Sequence, residues 1–64
     1  MLLTVREVSQ RLKVNVNYVY KLINSGLLPH LKLGSIKVRE ESLNAFLSQY
    51  DGQDVDKILD KNVS

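Results

Sequence analysis

The chain has no cysteine and a single histidine, His30. Neither a disulfide nor a thiolate nucleophile is available, and no cluster of metal ligands is present to build a zinc site. No apolar run approaches the ~18 residues of a membrane span, and no charged-then-apolar leader opens the sequence. The expected setting is therefore cytoplasmic, with no membrane partner. Gly-rich phosphate loops and Ser-centred nucleophile motifs are also absent. Asp51, Asp54, Asp56 and Asp60 lack the alternating ligands and closing Glu of a calcium loop. No catalytic residue, metal, cofactor or small-molecule site is expected.

At 64 residues the chain is one domain near the lower limit for folding without a staple, so its apolar positions must be used efficiently. Net charge is +2, unevenly spread: residues 1–50 hold seven Lys/Arg against three Glu, whereas residues 51–64 hold two Lys against four Asp. A basic body with an acidic tail fits a polyanion partner for the body and another role for the tail; ordinary charge scatter on a small surface is the alternative.

Leu3-Thr4-Val5-Arg6-Glu7-Val8 is a strong helix start. Thr4 and Glu7 have capping-box spacing, and Leu3 with Val8 fits a hydrophobic staple. Val5, Val8 and Leu12 continue the apolar stripe of a first helix over Thr4 to Leu12. After the turn Lys13-Val14, Asn15 caps a second helix that ends at Ser25-Gly26. At about 100° per residue its buried stripe is Val19, Leu22 and Ile23, with Asn17, Lys21 and Asn24 roughly opposite. Tyr20 lies beside that polar face, and Val16 and Tyr18 sit on the flanks.

Leu27-Leu28-Pro29 should fold the turn onto the core. His30 to Leu33 and Ile36 to Arg39 alternate with period two around Gly34-Ser35, which predicts a hairpin with a two-residue loop. That register sets Leu33 opposite Ile36 and Leu31 opposite Val38. On the other face it sets Lys32 opposite Lys37 and His30 opposite Arg39. Facing like charges weaken a hairpin, and a phosphate backbone alongside would reverse the effect; the alternative is that these are solvated edge lysines that discourage strand aggregation. A third helix runs from Glu40 or Glu41 to Tyr50, with Leu43, Phe46, Leu47 and Tyr50 on one face. Beyond Asp51-Gly52, Val55, Ile58 and Leu59 offer a short further stripe, expected to fray in isolation.

A recognition helix needs polar groups near its N-terminal end, free of the core, to reach base edges. Asn17 suits a bidentate adenine contact, and Lys21 a guanine edge or a phosphate. Tyr18 and Tyr20 offer hydroxyls or packing against sugar and thymine methyl. Each residue also has a plainer reading as solvated surface or core border.

In this order, Leu3-Thr4-Val5-Arg6-Glu7-Val8, Leu12-Lys13-Val14-Asn15, Val19-Tyr20-Lys21-Leu22-Ile23, Ser25-Gly26-Leu27-Leu28-Pro29 and Leu33-Gly34 resemble the excisionase-like winged helix-turn-helix family. That family is related in fold to the DNA-binding domain of mercury-resistance-type regulators, and the similarity runs from about Leu3 to Leu47. The resemblance implies an α+β, mostly helical winged helix-turn-helix, ordered helix, helix, β-hairpin, helix. This domain would occupy residues 1–50, and residues 51–64 would form an acidic tail, disordered or partner-binding.

The resemblance implies groove contacts from Val16, Asn17, Tyr18, Tyr20 and Lys21, and wing contacts from Lys32, Ser35, Lys37 and Arg39. Three departures stand out. Lys13 occupies a place the family usually gives to Gly, Val16 one where Arg is common, and the wing after Gly34 is about one residue short, with Ser35 where basic residues usually cluster. Members of this size are typically accessory factors that bind beside an attachment site, bend double-stranded DNA and help an integrase, a tyrosine recombinase, excise a mobile element. Such a protein would be nucleoid-associated when bound, with copies associating side by side on DNA. Others are small transcriptional regulators, and fold alone does not separate the two. The lack of further sequence argues against an effector-sensing regulator. A protein-interaction module without a DNA role is the third reading, and the basic hairpin counts against it.

Overall fold

The computed structural model describes residues 1–62. Its elements are β1 (Leu2–Thr4), α1 (Val5–Leu12), α2 (Val16–Asn24), β2 (Leu31–Leu33), β3 (Ser35–Arg39), α3 (Glu40–Gln49) and α4 (Val55–Asn62). The strands form one antiparallel sheet in the order β1-β3-β2. This is a winged helix-turn-helix, α+β and mostly helical.

Thr4 starts α1 as its sequence predicts. The Glu7 N–H donates to Thr4 Oγ1 at 3.1 Å, and the Thr4 N–H donates to Glu7 Oε1 at 2.9 Å, a complete capping box. The expected staple residues, Leu3 and Val8, are fully buried. Leu3 and Thr4 also belong to β1, a strand that the sequence does not announce. It lies against β3 with Leu3 opposite Val38, and both side chains are fully buried.

α1 ends at Lys13, whose φ of 58° is left-handed. The Val14 N–H donates to Ser9 O at 3.0 Å and the Lys13 N–H to Gln10 O at 3.3 Å, so the helix closes as though a glycine stood at this position. α2 ends in the same way around Gly26, φ 84°. There the Gly26 N–H donates to Ile23 O and the Leu27 N–H to Leu22 O, both at 3.1 Å. Leu28 is then buried in the core, as expected of this turn.

The hairpin differs from its predicted register by one residue. Leu31 is opposite Lys37, Lys32 opposite Ile36 and Leu33 opposite Ser35, with Gly34 alone, φ 76°, between the strands. The predicted pairs Lys32–Lys37 and His30–Arg39 therefore do not form. The turn closes on one residue instead of two, while Val38 stays in the core beside Leu3, its partner on β1 at the opposite edge of β3 from β2. A one-residue slip reverses every side chain of a strand, and so Leu31 and Leu33 are exposed.

α3 has no side-chain cap; instead the Glu40 N–H donates to Met1 O at 2.9 Å. Glu40 also pairs with Arg11 at 2.7 Å, joining the end of α1 to the start of α3. Leu43 and Phe46 are buried, whereas Leu47, expected on the same face, is exposed. The rings of Phe46 and Tyr50 meet at a tilt of 48° with centroids 5.0 Å apart.

The Val55, Ile58 and Leu59 stripe is not frayed. Asp54 Oδ1 accepts from the Lys57 N–H at 3.2 Å, closing the first turn of α4. Leu59 enters the common core and Val55 packs against it. Packing of this apolar face supplies what eight residues cannot supply as an isolated helix.

Candidate nucleic-acid interface

α2 is positioned by its cap and its buried stripe. The Tyr18 N–H donates to the side chain of Asn15 at 2.8 Å, while Val19, Leu22 and Ile23 are buried. That anchoring leaves Asn17, Tyr20, Lys21 and Asn24 exposed on the far side. Asn17 and Lys21 occupy one side of this surface, one helical turn apart. Asn24 continues it, although the family resemblance does not single it out.

The two flanking residues stand differently. Val16 is half-buried and packs against the core. Tyr18 is also half-buried, and its hydroxyl donates to Asp56 of α4. Burial first, then this hydrogen bond and the nearby Asp56 and Asp54 charges, push the Tyr18 phenol up to about 12. Tyr18, Lys21, Asp56, Leu59 and Asp60 together line a cleft between α2 and α4. Charge counting along the sequence does not reveal this arrangement. The readable signal was the Leu59 stripe, whose burial brings the acidic segment against α2.

The wing residues divide between two faces. Cross-strand pairs share a face, so Ser35, Lys37 and Arg39 lie on the open side of the sheet with Leu2, Thr4, Leu31 and Leu33. Lys32, opposite Ile36, is on the other side. The Lys37 ammonium donates to Ser35 Oγ at 2.8 Å. Arg39 pairs with Glu41 at 3.3 Å. Main-chain hydrogen bonding, then Arg39 and the chain's amino terminus, hold the Glu41 carboxyl below its usual range.

Among the described residues no group of His, Cys, Asp or Glu could hold a metal ion, and no helix is long and apolar enough to cross a membrane. Residues 2–51 match the family model described as a helix-turn-helix domain. No curated protein and no solved structure matches the chain.

Proposed function

The chain belongs to the helix-turn-helix domain family, a DNA-binding family that includes excisionase-like members, and from that premise we propose that it is an excisionase. It binds and bends double-stranded DNA beside an attachment site and promotes integrase-mediated excision of a mobile element. The observation that carries the DNA-reading part is the exposed polar face of α2, with Asn17 and Lys21 opposite the buried Val19, Leu22 and Ile23.

In this reading α2 lies in the major groove. Asn17 and Lys21 reach base edges or phosphate, and Tyr20 packs beside them. Val16 and Tyr18 border the contact. Ser35, Lys37 and Arg39 on the open sheet face, with Lys32 at the strand edge, approach the adjacent backbone. Val16 cannot form the forked hydrogen bonds an Arg would make, so direct readout is modest and copies binding side by side supply the remaining specificity. Residues 51–64 are the segment offered to an integrase. The protein works in the cytoplasm, on the nucleoid.

A small transcriptional regulator would bind DNA through the same face of α2. An excision assay separates the two: cells carrying the element and its integrase should lose the element faster when the protein is supplied. Altered transcription with no change in excision would favour the regulator.

A further inference from the structure

Helix α4 divides its charges. Counted from Val55 at about 100° per residue, Val55, Ile58 and Leu59 form the inward face. Asp56 and Asp60 share one flank, and Lys57 and Lys61 the other. Asp56, in the first turn, suits the helix dipole, but Asp60 four residues on sets a second like charge beside it, which weakens the helix slightly. This acidic flank is the one turned to α2, because Asp56 accepts from the Tyr18 hydroxyl and both aspartates line the cleft with Lys21. Lys21 has no ion-pair partner within 4.0 Å among the described residues. It shares the cleft lining with both aspartates without being tied to either.

We propose that α4 is an acidic cover on the recognition helix, an intramolecular competitor that weakens DNA binding by setting Asp56 and Asp60 beside Lys21. This rests on the reading of α2 as the DNA-binding helix. A phosphate drawn to Lys21 also meets the two aspartates, and the repulsion is strongest at low salt, where screening is least. Leu59 and the Tyr18–Asp56 bond hold the cover in place. α4 therefore both completes the core and restrains the surface beside it.

The test compares three single substitutions in the full chain. D56N and D60N each remove one negative charge from the cleft with little change of shape. D51N removes one from outside the cleft lining and controls for net charge. Affinity for a labelled mixed-sequence duplex is measured across a salt series. At low salt D56N and D60N should each bind about threefold to fivefold more tightly than D51N, and the gap should close as salt rises. Binding by D56N and D60N no tighter than by D51N would overturn the cover while leaving DNA binding intact. If no form, wild type included, binds any duplex, the DNA reading fails and the cover fails with it. Circular dichroism of each variant confirms that α4 is retained.

Discussion

The Tyr18 hydroxyl donates to the Asp56 carboxylate, and this bond links α2 to α4 across 38 positions of sequence. It joins the basic body to the acidic tail at the surface where DNA recognition is expected. Several properties of the protein depend on that contact and on the caps that set α1 and α2 in place.

The phenol of Tyr18 titrates at about 12 in the folded protein, against an ordinary value of 10.0. Its folded pKa is the higher, so its contribution to stability is fully present below about pH 10 and is lost as pH rises from there through 12. Tyr18→Phe removes the hydrogen bond and should cost about 0.5–1 kcal/mol near neutral pH. The variant should also lose part of the stability decline between pH 10 and 12. Denaturant unfolding across that range, with phenolate absorbance followed in parallel, checks both.

Lys13 adopts a left-handed backbone conformation and is exposed, so a side chain there is unfavourable and little packing is lost by removing it. Lys13→Gly should stabilise the fold by about 0.5–1 kcal/mol, raising Tm by roughly 3–6 °C for a domain of this size. Thermal melts of the two proteins decide it.

Leu59 brings α4 into the core with only 4% of its surface exposed. Leu59→Ala should cost about 2–3 kcal/mol. Hydrogen exchange should then show faster exchange of the α4 amides than of α1 or α2. Unchanged protection in α4 would mean that Leu59 does not hold it.

Much of this arrangement is readable from local chemistry. Thr4 with Glu7, Asn15, and the Val19, Leu22, Ile23 stripe specify both helices of the helix-turn-helix without help from distant residues. The hairpin is different. Alternation in β2 and β3 favours the register that gathers their apolar residues on one face, whereas the chain turns on Gly34 alone and Val38 is covered by Leu3 of β1, 35 positions earlier in the chain. β1 itself is three residues long and is hidden beneath a staple and a cap. Leu47 lies about 40° from Leu43 around α3, on the side away from Phe46, which is enough to leave it outside the core. The candidate reading face follows directly from helix geometry. The acidic flank beside it does not, because it depends on where the tail folds back.

In the proposed function the exposed face of α2 reads DNA. A preferred site can be recovered by selection from a random duplex pool. Affinities of wild type and Asn17→Ala are then compared on that site and on unrelated duplex. Loss of one bidentate base contact should weaken binding to the selected site about tenfold and leave non-specific binding unchanged, with both affinities falling steeply as salt rises. Undiminished affinity of Asn17→Ala for the selected site would contradict the role given to this residue. A pool that yields no preferred site would contradict sequence reading by α2.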